Sequence, residues 1–476
     1  MFSHLYKFLL YSFLFLNSKT ILFSSIYFSK DLLTVYNVLI PKVIYLANHG
    51  FPEIVQVEPT NQCNFNCIMC IRRFWNAKLG HMDFSLYRRL AESTFPHVKR
   101  VVLYGEGEPL IHPKFIDMVK FAREKLPREG TIFFTTNGSL LAPNIADKLI
   151  KKIGVDSIAI SMDTVDFKKL ERIRVGVGSQ ILFNNLKHVA KIKKDAKRDF
   201  KLGIEVVVMR SNIDDLPETV KIATEYGIDF ISVSHILPYT KNLYDEVIYT
   251  TISEESLKLS DIILQQGWDL ILGAVYEEYS LIYGDGGPFV YEGTLRKIWE
   301  EAKKRDIEIN PPLLLRTKEK LDWIEKIKGI FRKSEDIARL YGIELDLPDI
   351  VPIEKARKCP YVEKNATVIR YDGEVAPCFN YLYSHPTFVN NHIRNDYAVS
   401  FGNIKNKSLF EIWNSKEYVE FRERLKDMPK NVPYCGNCPY SSNYCWYTLT
   451  NEIDCYQNQP SCNECLYSTN LVKCLI

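Results

Sequence analysis

From residue 51 to about residue 240, short apolar runs alternate with segments in which apolar residues recur at helical spacing. The apolar runs have the length of buried strands and occupy residues 54–57, 101–104, 131–135, 157–162, 204–209 and 230–234. The helix-length segments between them occupy residues 84–93, 113–125, 143–152, 180–194 and 216–226. Strands that alternate with helices in this way predict βαβ units, and therefore a parallel α/β sheet.

Residues 1–50 show a different pattern, because residues 8–16 and 21–28 are strongly apolar and Lys19 lies between them. A membrane-spanning helix needs about 20 mostly apolar residues, and this segment is close to that limit with a charge inside it. A signal peptide would have a more basic start and a small-residue cleavage site. We expect an apolar N-terminal arm that packs on the following domain or a helix that lies on a surface. A third alternative is that the start codon is assigned too early. Membrane contact through residues 1–30 is an alternative that we do not favour.

Residues 241–350 contain no cysteine and no recognised set of ligands. Helical spacing recurs at residues 254–265, 295–304 and 318–330, and a glycine-rich turn falls at residues 284–288. The segment is too long for a bare loop in a compact domain. We predict a helical insert that either covers the active face and influences substrate choice or connects two domains.

Length and composition narrow the class of protein. A chain of 476 residues suggests two or three domains, and 46% hydrophobic with 25% charged residues argues against long disorder. The net charge of +3 is too small to indicate a surface that binds nucleic acid. Three of the twelve cysteines lie within residues 63–70 and nine lie within residues 359–474. This clustering indicates metal ligation in a reducing, cytoplasmic environment rather than a secreted disulfide framework.

A CxxxCxxC motif, formed by Cys63, Cys67 and Cys70, follows the first predicted strand. Three thiolates can hold three irons of a cubane iron–sulfur cluster and leave the fourth iron open for chemistry. Zinc is an alternative, but it usually takes four ligands in two pairs, and the nearest imidazole is His81. A disulfide with one spare thiol is a further alternative that fits the rest of the chain poorly. The spacing therefore favours a cluster with an open metal position.

Polar and glycine-rich residues follow several predicted strands. Gly105, Gly107 and Glu108 come after the second strand, in the sequence Gly-Glu-Gly-Glu-Pro, and Ser161 and Asp163 come at the end of the fourth. Active sites of βα barrels lie at the carboxyl ends of the strands, so these residues and the three cysteines are expected at one active mouth. A plain turn is the alternative for the glycines, and helix capping is the alternative for the other pair.

The three cysteines and the Gly-Glu-Gly-Glu-Pro segment resemble those of the radical S-adenosylmethionine (SAM) enzymes. The resemblance implies a partial (β/α)6 TIM-type barrel and a [4Fe-4S] cluster whose open iron is chelated by SAM. Members of the family cleave SAM reductively to methionine and a 5′-deoxyadenosyl radical, which abstracts a hydrogen atom. Met69 stands where the family often has an aromatic residue, and this apolar, polarizable side chain can still pack against the cofactor.

The same resemblance implies roles for the residues that follow the strands. Gly105, Gly107 and Glu108 are expected to hold the methionyl amino group of SAM. Ser161 and Asp163 fall where the family binds the ribose, and a carboxylate can accept hydrogen bonds from ribose hydroxyls. No acid–base pair or nucleophile stands out elsewhere, so catalytic residues are not assigned from the sequence.

The nine later cysteines resemble those of the SPASM extension that a subset of radical SAM enzymes carries. They are Cys359, Cys378, Cys435, Cys438, Cys445, Cys455, Cys462, Cys465 and Cys474. The resemblance implies one or two auxiliary [4Fe-4S] clusters, the first of which would take Cys359, Cys378 and Cys455. The run from Cys435 to Cys445 would hold the second cluster, with a later cysteine as its fourth ligand. Zinc at one CxxC pair is the alternative.

The predicted organisation has four parts. These are an apolar arm (1–50), a radical SAM barrel (51–240), a helical insert (241–350) and a SPASM-type auxiliary iron–sulfur domain (351–476). Within the family, the paired cysteine tail looks most like the subgroup that modifies the tungsten cofactor of aldehyde ferredoxin oxidoreductase. His235 and Tyr239 fall on the predicted active rim, where a structural histidine is the more common outcome.

The predicted function is a radical SAM enzyme that matures a cofactor or a metalloenzyme. Its partners would be a cofactor precursor and an electron donor such as ferredoxin or flavodoxin, without nucleic acid. A radical SAM maturase with a peptide substrate is one alternative. A non-catalytic iron–sulfur electron carrier is an alternative of another class, and it would have no use for Gly107, Glu108, Ser161 and Asp163.

Overall fold

Six parallel strands follow one another in sequence order at the centre of a nine-stranded sheet. They are β1 (Ile54–Val57), β2 (Arg100–Val102), β3 (Thr131–Thr136), β4 (Ser157–Ser161), β5 (Lys201–Val208) and β6 (Phe230–His235). Each strand pairs in parallel with the next. The computed structural model therefore confirms the parallel α/β sheet, and the six sequential strands agree with a partial (β/α)6 barrel.

The structure describes residues 50–176, 178–195, 199–265, 299–310, 313–314, 317, 321–442 and 445–476. Residues from Phe51 to Ile476 form one structural unit. The predicted N-terminal arm and its membrane contact, the turn at 284–288 and the first part of the helix at 295–304 lie outside the described residues. Among the described residues, no helix has both the length and the apolar character that crossing a membrane requires.

Helices connect the central strands. They are α1 (Phe84–Thr94), α2 (Phe115–Lys125), α3 (Pro143–Asp147, continued by a π-helical turn, Lys148–Ile153), α4 (Phe167–Ile173), α5 (Ser179–Asp195) and α6 (Leu216–Glu225). The apolar spacing predicts all of them except α4, which is only seven residues long. Its start is fixed by Asp166, whose carboxylate accepts the backbone N–H of Lys169 at 2.9 Å.

Both edges of the central sheet are extended by later parts of the chain. The additional strands are β7 (Glu344–Asp346) beside β6, β8 (Ala366–Ile369) beside β1, and β9 (Val375–Ala376) beside β8. Only β9 runs antiparallel. A hairpin turn joins β8 to β9, and Gly373 takes a positive φ of 95° there. A separate hairpin pairs β10 (His385–Val389) with β11 (His392–Asp396).

The remaining helices lie in the insert and the C-terminal region. They are α7 (Lys241–Tyr244), α8 (Glu254–Gln265), α9 (Leu321–Tyr341), α10 (Pro360–Glu363), α11 (Leu409–Trp413), α12 (Lys416–Leu425) and α13 (Met428–Asn431). Helix α8 has the predicted bounds. Helix α9 runs eleven residues past the predicted end at Ile330 and packs against α6, burying Ile327 and Phe331. Part of the predicted insert therefore continues the α/β sheet through α9 and β7.

A buried polar contact ties the C-terminal region to the first strand. Gln56 is fully buried in β1, between the buried Val55 and Val57. Its amide nitrogen donates to the backbone oxygen of Tyr104 at 3.0 Å, and its amide oxygen accepts the Tyr361 hydroxyl at 2.6 Å. Because both partners are needed to satisfy a buried amide, β1 and α10 are held at a fixed distance.

We predict that Tyr361→Phe lowers the free energy of unfolding by about 1–3 kcal/mol, because the buried oxygen of Gln56 loses its donor. Denaturant unfolding followed by tryptophan fluorescence measures the effect. Tyr397→Phe is the matched control, because this tyrosine is 45% exposed and its loss of a hydroxyl should leave the midpoint unchanged. Equal midpoints for the two variants would contradict the structural role of the Tyr361 hydroxyl.

Candidate active site

The loop after β1 carries three of the cysteines and is held at several points by hydrogen bonds. The guanidinium of Arg72 donates to the backbone oxygens of Asn61 at 3.1 Å and Phe65 at 3.0 Å. The backbone N–H of Asn66 donates to the carbonyl of Val175 at 2.8 Å, which fastens the loop to the segment after α4. These bonds fix a loop without regular structure, so its thiols are held in place by the fold.

A cavity of about 250 Å³ lies at the carboxyl ends of the central strands. The residues predicted for the site that line it are Cys63, Cys67, Cys70, Gly105, Gly107, Glu108 and Ser161. His235 and Tyr239 also line it. The fold therefore brings together residues from β1, β2, β4 and β6 that are far apart in sequence, and among the predicted cofactor-binding residues only Asp163 does not line this cavity.

Burial shapes the chemistry of the three thiols in the β1 loop. It raises the pKa of the Cys63 and Cys67 thiols and raises the pKa of the Cys70 thiol to about 12. A thiolate in such surroundings needs a nearby cation, and bound iron supplies one. The amide nitrogen of Asn137 lies 3.8 Å from the sulfur of Cys63, as a hydrogen-bond donor to it. This donor set fits the cluster that the motif predicts.

The two glycines of the Gly-Glu-Gly-Glu-Pro segment lie against the end of β1. A Cβ on Gly105 would come 2.2 Å from the side chain of Glu58, and a Cβ on Gly107 would come 2.4 Å from the backbone oxygens of Thr60 and Gln62. Real Cβ atoms do not approach other atoms so closely. The glycines therefore let the β2 loop pack on the β1 loop, which places the backbone between them at the cavity wall.

Glu108 is buried and fully engaged by the loop after β3. Its carboxylate accepts the Thr136 hydroxyl and the backbone N–H of Asn137, each at 2.7 Å, and the backbone N–H of Leu110 at 3.1 Å. Burial raises the pKa of Glu108 to about 7, and these hydrogen bonds act in the opposite direction. The carboxylate is thus rigidly placed and can gain or lose its proton near neutral pH.

Asp163 differs from its predicted placement. Its carboxylate pairs with Arg174, with 2.8 Å between Arg174 Nε and Asp163 Oδ2, and also accepts the backbone N–H of Val207 at 3.0 Å. It is 2% exposed. Arg174 is the member of the pair that lines the cavity. Asp163 therefore positions a cation at the cavity wall.

Two further residues that line the cavity, Glu205 and Arg174, are not predicted from the sequence. Glu205 accepts the Ser161 hydroxyl at 3.2 Å and the Thr135 hydroxyl at 3.1 Å, and burial raises its pKa. A charged residue inside an otherwise apolar parallel strand is a signal that could have identified it. Arg174 follows α4, a short helix that the periodicity does not predict, and nothing local marks its role.

Glu106 is a third missed residue, and it lies within a motif that was recognised. Glu106 lines the cavity, while the resemblance assigns roles only to Gly105, Gly107 and Glu108. Burial holds the pKa of Glu106 well above its usual range, and the charge of Glu58 adds to that effect. The cavity therefore contains several carboxyl groups whose ionised forms are disfavoured by burial.

His235 has the structural role that is more common for such a residue. Its Nε2 lies 3.0 Å from the backbone oxygen of Asp349, and burial lowers the pKa of His235 to about 3. The imidazole is neutral at physiological pH. It therefore contributes a packed, uncharged wall to the cavity, where it lies 5.0 Å from the ring of Tyr249.

Nine cysteines surround two further cavities. One is lined by Cys359, Cys378, Cys462, Cys465 and Cys474. The other is lined by Cys435, Cys438, Cys445 and Cys455. Cys462 and Cys465 line the first cavity with Cys359 and Cys378, whereas Cys455, which the resemblance groups with Cys359 and Cys378, lines the second.

All twelve cysteines are free thiols. Within the described ranges, no three Cys, His, Asp or Glu side chains lie together as ligands of a single metal ion.

Comparison with known proteins agrees with this geometry. Residues 57–223 match the radical SAM superfamily, and residues 359–439 match the SPASM domain, described as an iron–sulfur cluster-binding domain. The chain is 27% identical over 431 residues to the tungsten-containing aldehyde ferredoxin oxidoreductase cofactor-modifying protein of Pyrococcus furiosus, covering 89% of this chain and 97% of that protein. The family resemblance is therefore confirmed.

Two more distant similarities were found. The AdoMet-dependent heme synthase of Methanosarcina barkeri is 24% identical over 194 residues, which cover 40% of this chain and 53% of that protein. The crystal structure of Streptococcus suis SuiB bound to S-adenosylmethionine aligns over 92% of this chain and 81% of that chain, with 16% identity and a TM-score of 0.47.

We predict that Asp163→Asn lowers the free energy of unfolding by about 3–5 kcal/mol, because it removes the carboxylate that pairs with the buried Arg174 cation. Adding Arg174→Met should recover part of that loss, since the unpaired charge is then removed as well. Denaturant unfolding of the reduced proteins under anaerobic conditions measures both variants. A double variant that is no more stable than Asp163→Asn would contradict the ion-pair argument.

Proposed function

We propose that this chain, which belongs to the radical SAM superfamily and carries a SPASM iron–sulfur domain, matures a small-molecule cofactor of a metalloenzyme. The observation that carries the proposal is the single cavity that gathers Cys63, Cys67 and Cys70 with Glu108 and Ser161. The similarity to a cofactor-modifying protein over 97% of that protein's length supports the same class of substrate. An electron carrier would need the cysteines alone.

Cys63, Cys67 and Cys70 are the proposed ligands of the SAM-binding [4Fe-4S] cluster. When bound and reduced, that cluster would supply the electron for cleavage of SAM into methionine and a 5′-deoxyadenosyl radical. The chain contributes a fixed loop, because Arg72 and Asn66 hold it to its surroundings. Asn137 contributes a hydrogen-bond donor beside the Cys63 sulfur, and such donors tune the potential of a cluster.

The contacts to SAM are proposed from the chemistry of the cavity wall. Glu108, held by three donors, is suited to the methionyl ammonium group, beside the backbone of Gly105 and Gly107. Arg174 is suited to the methionyl carboxylate, and Asp163 would act through it. Glu205 and the hydroxyl of Ser161 lie together and are suited to the ribose hydroxyls. These assignments supplement the ribose prediction with Glu205 and reassign Asp163 to a positioning role.

A small substrate is favoured by the way the cavity is covered. The backbone N–H of Lys473 donates to the hydroxyl oxygen of Ser234 at 3.1 Å. The hydroxyl of Tyr104 donates to the backbone oxygen of Leu475 at 2.9 Å. These bonds fix Cys474 and its neighbours at the cavity wall, and a wall fixed in this way suits a compact ligand better than a long peptide.

The remaining partner is an electron donor. One-electron reduction requires a low-potential carrier, and we propose a ferredoxin or a flavodoxin in a reducing compartment such as the cytoplasm. The twelve free thiols support this environment.

The test is anaerobic formation of 5′-deoxyadenosine from SAM and dithionite by the reconstituted protein. We expect product from the parent and none above background from Cys63→Ala. Lys120→Ala, at an exposed position on α2, is the control for handling and should match the parent. No product from a parent that holds its full iron content would contradict the proposed cleavage.

The substrate class is tested in the same assay. We expect the tungsten cofactor released from an aldehyde ferredoxin oxidoreductase, made in the absence of this chain, to raise the rate of 5′-deoxyadenosine formation several-fold. An unstructured peptide of matched concentration should leave the rate unchanged. Stimulation by the peptide and not by the cofactor would favour a peptide-modifying maturase instead.

The pH dependence of SAM binding tests the role of Glu108. Burial raises its pKa to about 7, so below that pH the group is protonated and must ionise before it can pair with an ammonium. We expect the affinity for SAM to rise by up to about tenfold per pH unit below pH 7 and to level off above it. Equilibrium binding to the iron-loaded protein should show weaker and flatter binding for Glu108→Gln. A parent affinity that does not change with pH would contradict this role.

A further inference from the structure

The SPASM match ends at residue 439, so five cysteines lie beyond it. We propose that the nine C-terminal cysteines form two cluster-binding quartets and leave one thiol outside both. The first quartet is Cys359, Cys378, Cys462 and Cys465, and the second quartet is Cys435, Cys438, Cys445 and Cys455. Cys474 belongs to neither. The inference deepens the proposed function, since it assigns the ligands of its auxiliary clusters.

The second quartet depends on a closed loop that carries Cys455. The backbone N–H of Ser461 donates to the carbonyl of Asn451 at 2.8 Å, which joins the two ends of the loop. Inside it, the Asp454 carboxylate accepts the backbone N–H groups of Tyr456 at 2.9 Å and Asn458 at 3.1 Å. The loop thus projects Cys455 toward the cavity of the second quartet, and the chain leaves the loop immediately before Cys462.

The rest of the second quartet is held from the other side of its cavity. The amide nitrogen of Asn310 donates to the backbone oxygen of Cys438 at 2.7 Å. The amide oxygen of Asn437 accepts the backbone N–H of Ser253 at 3.0 Å. The cavity that these thiols line has a volume of about 810 Å³, and four thiols around one space are the complete ligand set of a cubane.

The first quartet depends on two bonds that bring the segment after the loop to α10 and to the turn after β9. The backbone N–H of Lys358 donates to the carbonyl of Ser468 at 3.0 Å, beside Cys359. The hydroxyl of Tyr381, three residues after Cys378, donates to the backbone oxygen of Ser461. Both contacts place the CxxC pair that starts at Cys462 next to Cys359 and Cys378.

The residues on either side of Cys474 are bonded to the barrel, and the backbone oxygen of Ile476 accepts a hydrogen bond from Nζ of Lys364, which follows α10, at 3.0 Å. The bonds to the barrel are made to Ser234 of β6 and to Tyr104, which follows β2. Cys474 lines both the barrel cavity and the cavity of the first quartet, as Tyr467 does. With four thiols already present in the first quartet, Cys474 is left as part of the wall that the two cavities share.

Paired substitutions test the grouping through iron content. The reconstituted parent should hold about twelve irons in three [4Fe-4S] clusters. Removing two ligands of one quartet, with Cys435→Ala and Cys455→Ala, should leave about eight irons. Removing one ligand from each quartet, with Cys435→Ala and Cys462→Ala, should leave about four. If Cys455 belonged with Cys359, these two results would be reversed, and that reversal would overturn the proposal.

Cys474→Ala tests whether the ninth thiol is a cluster ligand, and Cys462→Ala is the comparison variant that lacks a proposed ligand. We expect the full iron content and an unchanged Mössbauer spectrum for the first variant, and altered or lost auxiliary iron for the second. Loss of auxiliary iron from Cys474→Ala, with retention in Cys462→Ala, would overturn the assignment. Far-UV circular dichroism identifies variants that fail to fold, and conservative Cys→Ser versions then replace them. Because iron is counted without SAM, failure of this grouping is distinct from failure of SAM cleavage.

Discussion

A single buried carboxylate at the end of β1 holds together the three parts of the molecule that form the active cavity. Glu58 accepts the backbone N–H of Glu106 at 3.0 Å, the backbone N–H of Tyr371 at 3.2 Å and the hydroxyl of Tyr383. The first donor belongs to the β2 loop and the other two belong to the C-terminal domain. Burial raises the pKa of Glu58, so its position depends on these donors being supplied. The absence of a side chain at Gly105 leaves the space that the carboxylate fills.

The cavity that results contains several acidic groups whose ionised forms are disfavoured by burial. Burial raises the pKa of Glu106, Glu108 and Glu205, while Asp163 is occupied by Arg174. A cationic ligand reverses this balance, because each positive charge that enters stabilises the ionised form of a nearby carboxyl. SAM carries such charges on its sulfonium and ammonium groups. The cavity is thus adapted to a ligand that brings its own positive charge.

Much of this architecture follows from local patterns in the sequence. Apolar runs and turn residues were sufficient to predict the six central strands. The position of Cys63, Cys67 and Cys70 after β1 was sufficient to predict that these thiols lie at the carboxyl ends of the strands, where they line the cavity. Arg174 could not be predicted, because its role depends on a contact between a short helix and the end of β4. The grouping of Cys455 also depends on tertiary structure, since the closed loop before Cys462 is fixed by bonds between backbone atoms. The spacing of residues in the sequence therefore predicts neither the role of Arg174 nor the grouping of Cys455.

The two quartets are nested along the chain, because the second lies wholly between Cys378 and Cys462. A cluster held by the first quartet therefore acts as a cross-link that closes a long loop around the second. Closing a loop lowers the entropy of the open chain, so the second site is preorganised once the first is filled. The reverse effect is weaker, since the second quartet encloses no ligand of the first. The metal centres should accordingly assemble in a preferred order, with the cluster of the first quartet before the cluster of the second.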